Sequence, residues 1–286
     1  MKVVFVVQGE GRGHITQAIT MKELLFSNGH EVTKVLVGRC KSRTQPDFLR
    51  RNIGAEVKTF YSPNFLPKPD NKRSSVSHSL TYNIRMLPEY RKSMCFIADE
   101  IENSGADLVI NFYEILTGMA YLFLSPSVPY VCIGHQYLFM HEGFAFPHGK
   151  YFSRLGLLFF TRLTCMRASR KLALSFREMP DDTTHDIKVV PPLLRKEVKR
   201  LKTSDGDFVH DYMVNSEARI SADDFDISRL ISFADTFKPN DGFRQWANHS
   251  EFMFLPILLA ASASRKRYSQ RLYDHLLQPV MRYLLA

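Results

Sequence analysis

VVFVVQGEGRGH, residues 3–14, joins an apolar run directly to a glycine-rich turn. Val3–Val7 is typical of a strand buried on both faces of a parallel sheet. Residues 15–27 then carry apolar side chains at helical spacing and stop at Asn28-Gly29, a favourable helix C-cap. A second strand is predicted over Glu31–Val37, which completes a strand–loop–helix–strand unit. This unit predicts an α/β fold with a doubly wound, Rossmann-like parallel sheet.

The same alternation continues along the chain. Further strands are predicted over Ala55–Phe60, Ala106–Asn111, Val128–Ile133, Leu172–Ser175, Ile187–Val190 and Phe208–Val214. Helices are predicted over residues 77–103, 113–124 and 150–167, the first of them kinked or divided by Pro88. Pro191-Pro192 can continue neither a strand nor a helix, and it marks a boundary. We expect a first domain over 1–195, a polar linker over 196–207 and a second domain over 208–286.

Composition and charge indicate a globular protein with an anionic partner. With 286 residues, 45% hydrophobic and 12% aromatic, the chain can bury a large core, which excludes disordered and fibrous classes. The net charge of +9 is concentrated, because residues 150–202 hold 13 Lys and Arg against 5 Asp and Glu, a net of +8. One basic segment of this kind favours an anionic partner such as a phosphate or a membrane surface.

Cysteine spacing and hydropathy give an expectation for the compartment. The four cysteines have no short spacing, which argues against a zinc knuckle, a redox dithiol and a disulfide framework. The first apolar run is shorter than that of a signal peptide. Phe252–Ala261 is about half a membrane span and contains Pro256. We therefore expect a soluble, cytoplasmic protein.

The glycine loop is suited to an anionic group. Gly9, Gly11 and Gly13, with Arg12 among them, let the backbone approach a ligand, and the following helix N-terminus offers free N–H groups. The alternative is that the glycines serve only strand-to-helix packing. A dinucleotide fingerprint would place a third glycine where His14 stands and an acid after the second strand. NAD is therefore disfavoured, and an NADP-dependent oxidoreductase remains a weaker alternative through three basic residues, Arg39, Lys41 and Arg43.

His14 is the candidate catalytic residue. The dipole at the start of the first helix lowers the pKa of this imidazole and favours its neutral form. A neutral histidine beside a phosphate-sized space can act as general base for a hydroxyl nucleophile. The alternative is a histidine that caps the helix or donates a hydrogen bond without transferring a proton.

These residues, taken in order, resemble those of GT-B glycosyltransferases. The closest likeness is to the group of the cell-wall N-acetylglucosaminyl transferase and the UDP-glycosyltransferases, which is family 28-like. The resemblance covers about residues 1–215 and is carried by the first loop (residues 9–18), Asn111-Phe112-Tyr113-Glu114, His135-Gln136-Tyr137-Leu138, Leu174-Ser175-Phe176 and residues 189–195.

The resemblance implies an N-terminal acceptor-binding domain and a C-terminal domain that binds a nucleotide-sugar. His14 would be the base for the acceptor, and Gly9, Gly11, Arg12 and Gly13 would form the loop that lines the cleft. No cofactor is implied, because the nucleotide-sugar, expected to be UDP-linked, is a substrate. The enzyme would then move a hexose to a hydroxyl acceptor, for which a lipid-linked or cell-envelope glycan is an option.

The C-terminal segment departs from that family's pattern. Residues 216–286 contain one glycine, Gly242, and no glycine-containing loop for a diphosphate. We expect an incomplete or atypical donor domain, through truncation, through an altered tail such as a frameshift gives, or because the donor is held differently. A second hypothesis follows, in which the chain is a non-catalytic acceptor-binding half. It would pair with a separate donor-domain protein or with a second copy of itself.

Asn111, Glu114, His135 and Gln136 are the candidate acceptor-pocket residues. His135 and Gln136 follow a strand's carboxyl end, where open α/β sheets bind ligands. The alternative is that both are loop polar groups satisfied within the protein. The segment Gly134–Gly149 also holds His141 and His148, at spacings that fit no zinc pattern, so no metal site is expected.

Residues 150–167 interleave aromatic and basic side chains. This pattern is typical of a core helix with a solvated basic edge. It is also typical of a helix that adsorbs on anionic lipid, which would make the protein peripheral to the inner face of the membrane. Nucleic acid is not expected as a partner, because the aromatic and basic residues are not arranged on strands.

Overall fold

The computed structural model describes residues 1–9, 12–39, 47–63, 76–146, 148–149, 151–200, 209–213, 230–234 and 245–247. Over this part of the chain one compact unit holds residues 1–63 and 81–195, and a second unit holds residues 76–80 and those from Lys196 to Ala247. Several residues of the sequence analysis lie outside the described part, namely Glu10, Gly11, Lys41, Arg43 and the segment 252–261.

The first unit is built on a seven-stranded sheet in which every neighbouring pair is parallel. The strands are β1 (Lys2–Gln8), β2 (Glu31–Arg39), β3 (Glu56–Tyr61), β4 (Leu108–Phe112), β5 (Tyr130–Gly134), β6 (Arg170–Leu174) and β7 (Ile187–Val190). Their order across the sheet is β3-β2-β1-β4-β5-β6-β7. This is the doubly wound, Rossmann-like α/β fold that the sequence predicted.

Helices connect these strands. They are α1 (Arg12–Ser27), α2 (Asp47–Ile53), α3 (Val76–Arg85), α4 (Leu87–Glu102), α5 (Ile115–Phe123) and α6 (Tyr151–Thr164), together with a 3-10 helix over His135–Met140. Pro88 divides the predicted helix 77–103 as expected, and it lies in the first turn of α4, where its missing N–H costs no hydrogen bond. The sequence analysis missed α2 and the 3-10 helix, because both are too short to show a clear period.

The core lies on both faces of β1. Val3, Phe5 and Val7 pack on one side with α1, and Val4 and Val6 pack on the other with α4 and α5. All five side chains are fully buried. Burial on both faces explains why this strand reads as an uninterrupted apolar run.

The strand order changes direction at β1. The chain proceeds from β1 to β2 on one side and later returns to β4 on the other. Ligands of open α/β sheets bind outside the carboxyl ends of the strands at such a switch point. The residues that follow β1 and β4 are therefore the first to consider for a site.

The loop after β1 packs tightly against the end of β2. The Gly9 N–H donates to the Gly38 carbonyl oxygen over 3.0 Å. A Cβ on Gly9 would lie 2.2 Å from that oxygen, so the backbones can approach only because residue 9 is glycine. Packing alone thus accounts for one of the three loop glycines.

The second unit contains α7 (Lys196–Arg200) and a three-stranded parallel sheet of order β10-β9-β8. The predicted strand 208–214 is confirmed as β8 (Val209–Met213). Two further strands, β9 (Leu230–Ala234) and β10 (Gln245–Ala247), were not predicted, and the expected polar linker begins with a helix. The strand signal of LISFA at residues 230–234 was missed because no glycine or proline turn marks its ends.

Candidate functional site

Three segments of the first unit converge at the carboxyl edge of its sheet. His14 stands in the first turn of α1, after β1. Tyr113 and Glu114 follow β4, and His135 and Gln136 follow β5. Because β1, β4 and β5 are parallel neighbours, their carboxyl ends bring these side chains together.

His14 is held in its neutral form. The pKa of His14 is lowered to about 4, first by desolvation on burial and to a smaller extent by the nearby His135, while the Gln17 side chain opposes the shift. The position of His14 at a helix start predicted a lowered pKa from the helix dipole, whereas burial is the main cause in the structure. Near pH 7 the ring carries no charge and can accept a proton.

Tyr113 and Gln136 fix the orientation of the His14 ring. Tyr113 stacks on it, with ring centroids 5.6 Å apart and planes 16° from parallel. Gln136 Nε2 lies 3.2 Å from His14 Nε2. Since His14 is neutral, the Gln136 amide N–H donates to the lone pair of Nε2, which leaves the ring proton on Nδ1. The sequence analysis did not assign a role to Tyr113.

Asn111 holds the turn on which Tyr113 sits. Tyr113 has a φ of +62°, in the left-handed region that a bulky residue seldom adopts. The Asn111 side chain is fully buried, and its amide donates to the carbonyl oxygens of Glu114 and Thr164 over 3.0 and 2.8 Å. Its own oxygen accepts the Glu114 N–H at 2.9 Å. All three bonds are internal, so the Asn111 amide lies beneath the site and shapes it.

Glu114 is also buried completely. Its Oε1 accepts hydrogen bonds from the Ser62 hydroxyl at 2.5 Å and from the Leu116 N–H at 3.2 Å, which caps α5. Desolvation raises the pKa of Glu114 to about 7, although these bonds oppose the shift. Its Oε2 lies against Gly38, where a Cβ would approach it to 2.2 Å.

His135 is oriented by its backbone neighbours. Its Nδ1–H donates to the Leu174 carbonyl oxygen over 2.8 Å, which leaves Nε2 as an acceptor. The ring stacks on Phe176 at a centroid distance of 5.3 Å, and burial lowers the pKa of His135. Two neutral histidines therefore stand at this edge of the sheet.

Some polar atoms at this edge lack partners. Within the described part of the chain, Gln136 Oε1 and Glu114 Oε2 are buried without a hydrogen-bond partner. Buried polar atoms are rarely left in this state, and they often mark a place that water or a ligand completes. Gln136 contacts His14, so at least one of these atoms belongs to the cluster around the histidine.

The remaining residues of the glycine loop divide into two kinds. Arg12 and Gly13 are exposed at the first turn of α1, and a Cβ on Gly13 would meet no atom within 4 Å. Gly9 is committed to the contact with Gly38. Gly11 lies outside the described residues.

Of the three basic residues that were candidates for binding NADP, the structure describes Arg39 only. Its guanidinium lies over the Tyr61 ring, 4.9 Å from the centroid. Lys41 and Arg43 lie outside the described residues.

The histidines of the segment 134–149 do not gather around one point. His141 is buried, its Nε2–H donates to the Pro180 carbonyl oxygen at 2.9 Å, and its Nδ1 accepts the Gly143 N–H at 2.9 Å. Both ring nitrogens of this histidine are thus used within the fold. His148 is exposed. Among the residues that the structure describes, no cluster of three His, Cys, Asp or Glu could hold a metal ion.

Comparisons with known proteins identify the family of the chain. The profile of a family described as glycosyl transferase family 1 matches residues 1–225. No curated protein matches the sequence.

Solved glycosyltransferases share the fold. The glycotransferase of kitacinnamycin is 13% identical, with a TM-score of 0.50 over 84% of this chain and 67% of its own. Phytolacca americana UGT2, solved with UDP-2fluoro-glucose and pterostilbene, is 12% identical, with a TM-score of 0.54 over 87% of this chain and 72% of its own. At these identities the likeness concerns the fold.

Proposed function

The chain belongs to glycosyl transferase family 1, and on that premise we propose that it moves a hexose from a nucleotide-sugar to a hydroxyl group of an acceptor. The observation that supports this most directly is the neutral His14 at the carboxyl edge of the sheet, with Gln136 on its Nε2. Family membership favours glycosyl transfer over the NADP-dependent oxidoreductase, for which Arg39 is the one described residue.

In the proposed reaction His14 is the general base. An acceptor hydroxyl replaces the Gln136 amide at Nε2 and gives its proton to that nitrogen while its oxygen attacks the anomeric carbon of the donor. The bond from that carbon to the nucleoside diphosphate breaks, and the diphosphate leaves with the electron pair. Tyr113 keeps the ring in place, and burial keeps it unprotonated before the reaction.

Exposed groups of the first loop would stabilise the negative charge of the leaving diphosphate. The backbone N–H groups at the start of α1, next to Arg12 and Gly13, favour negative charge that develops in the transition state. Gly9 and Gly11 complete the proposed loop. His135 and Gln136 line the acceptor side, with Asn111 and Glu114 supporting the floor beneath them.

We further propose a UDP-linked donor. The support is that Phytolacca americana UGT2, which has the same fold, was solved with a UDP-sugar analogue. The second unit, with its parallel sheet, is the proposed place for the nucleotide, in keeping with a first domain over 1–195 and a donor-binding remnant over 208–286. We also propose that the protein works in the cytoplasm, peripheral to the inner face of the membrane, and the basic and aromatic pattern of residues 150–167 supports this.

Calorimetric titration of the full chain with UDP, GDP, dTDP and NADP tests the donor class. Binding of UDP with no heat from NADP is expected. Binding of NADP alone would overturn the proposal in favour of an oxidoreductase. Silence from all four would leave the non-catalytic acceptor-binding half, acting with a separate donor-domain protein or a second copy, as the better account.

Release of UDP from UDP-glucose in the presence of a panel of phenolic and lipid-linked acceptors tests the base. His14→Ala should lower turnover by about 10²–10⁴-fold without loss of UDP binding. His30→Ala is the matched control, because His30 precedes β2 at the opposite edge of the sheet and should keep full turnover. Wild-type turnover in His14→Ala would refute the assignment of the base.

A further inference from the structure

One face of helix α6 is apolar and open to solvent. The exposed fractions of Tyr151, Phe152, Leu155 and Phe159 are 66%, 86%, 45% and 65%. Residues at positions i, i+4 and i+8 of a helix lie along one side, so Tyr151, Leu155 and Phe159 form a single stripe with Phe152 beside it.

This arrangement is unusual for a surface helix. An amphipathic helix of a globular protein normally turns its apolar side to the core. Phe160 and Leu163 of α6 do pack against the core, but the rings of Tyr151, Phe152 and Phe159 face solvent. Contiguous exposed apolar surface of this kind marks a site of interaction.

The segment that contains the stripe is rich in basic side chains. Residues 143–177 contain seven Lys and Arg and no Asp or Glu. Arg154 and Arg162 on α6 and Arg167 just after it are exposed. The Arg154 guanidinium lies 4.9 Å from the Phe146 ring centroid, which extends the mixed basic and aromatic character to the preceding loop.

We propose that this α6 face docks on an anionic membrane surface. The exposed rings would enter the interfacial region of the bilayer, and the guanidinium groups would pair with anionic headgroups. A second copy of the chain fits less well, since a two-fold contact through this face would bring like charges together. No helix that the structure describes is long and apolar enough to cross the bilayer, so the attachment would be at the surface.

The docking face lies on the same helix as a group that contacts the candidate site. Thr161 Oγ1 is 2.7 Å from the Tyr113 hydroxyl, and Tyr113 stacks on His14. Docking through α6 would hold His14 near the bilayer, where a lipid-linked acceptor presents its hydroxyl. This choice of acceptor rests on the proposed transferase function, whereas the docking itself does not.

Co-sedimentation of the full chain with vesicles tests the proposal. Vesicles of phosphatidylcholine with phosphatidylglycerol should bind the protein, and pure phosphatidylcholine should bind it much less. The double variant Phe152→Ser/Phe159→Ser should lose at least about tenfold in partitioning. Arg154→Glu/Arg162→Glu should lose about fivefold for each positive charge removed, and the wild type should be released by high salt.

Matched controls separate docking from general surface effects. Phe26→Ser removes a ring that is 74% exposed on α1, and Arg85→Glu/Arg91→Glu reverses two exposed charges of α3 and α4. These variants should bind vesicles as the wild type does. Thermal unfolding by circular dichroism checks that every variant is folded.

Several results would overturn the proposal. They are equal binding to neutral and anionic vesicles, equal losses in the control variants, or no vesicle binding together with a dimer that Phe152→Ser/Phe159→Ser dissociates. His14→Ala should bind vesicles normally. Loss of transfer with intact vesicle binding, or the reverse, therefore shows which of the two proposals fails.

Discussion

The rings of His14 and Tyr113 stack nearly parallel, with planes 16° apart, although 98 residues lie between them in the sequence. Tyr113 reaches this position from a left-handed backbone conformation, which Asn111 holds through its bonds to the turn. The stack covers one face of the imidazole and keeps water from it. The neutral state of His14 is thus built by residues from two different strand ends.

A titration of His14 should show this effect directly. We expect its ring to stay neutral down to pH 5, because burial lowers the pKa of His14 to about 4, well below the usual 6.5. Nuclear magnetic resonance of ¹⁵N-labelled histidine, assigned with His14→Ala, measures the value. If His14 acts as the base, the acidic limb of kcat/KM should also fall near pH 4, and a limb and a titration near pH 6.5 would contradict the structure.

Glu114 should make the folded protein less stable as the pH rises. Burial raises the pKa of Glu114 from 4.5 to about 7, so between these values the folded state binds a proton that the unfolded state has lost. The stabilisation is complete below pH 4.5 and disappears as the pH rises through 7, a change of about 3 kcal/mol.

Glu114→Gln tests this linkage, because an amide keeps the size of the side chain and can still bond to Ser62. The free energy of unfolding of the wild type relative to Glu114→Gln should decrease by about that amount between pH 4.5 and pH 7.5, measured in urea at each pH. Glu142→Gln, the same change at an exposed side chain, is the control. A difference between wild type and Glu114→Gln that does not change with pH would contradict the raised pKa of Glu114.

The sequence predicted the strands that position this site better than it predicted the contacts and pKa shifts of the site residues. The apolar run before Gly9 predicted the central strand and thereby the edge at which His14, Glu114 and Gln136 lie. The contact between His14 and Tyr113 could not be predicted, because it depends on a turn after β4 with no periodic signal. Nor could the raised pKa of Glu114, since a carboxyl at a helix start is usually exposed and the burial arises only when Gly38 and Ser62 close over it.

Asn111→Asp should be strongly destabilising. The Asn111 amide donates to two carbonyl oxygens, and a carboxylate in its place would point a negative charge at both. Leaving a buried charge without a partner costs about 3–5 kcal/mol. The variant should lose this stability at pH 7 in urea unfolding and recover part of it near pH 4, where a protonated acid can donate once. A loss of less than about 1 kcal/mol at pH 7 would mean that the turn does not depend on these bonds.

The two described glycines of the first loop should respond to alanine in different ways. In Gly9→Ala the new Cβ would lie 2.2 Å from the Gly38 carbonyl oxygen and 2.8 Å from Val37 Cγ1, and the first of these is backbone that cannot turn aside. We expect a loss of about 1–3 kcal/mol in the free energy of unfolding, as for other overpacked sites.

Gly13→Ala is the matched variant, because its Cβ would meet nothing within 4 Å and residue 13 lies in the first turn of α1. Alanine there should leave stability unchanged or raise it by up to about 1 kcal/mol, since it restricts the unfolded chain. Urea unfolding of both variants decides the matter. Equal stability of Gly9→Ala and Gly13→Ala would show that β1 and β2 do not approach through Gly9 as the structure has them. Gly13→Ala could also be as stable as the wild type and yet bind UDP more weakly. That result would show that glycine is needed at position 13 for ligand binding and not for packing.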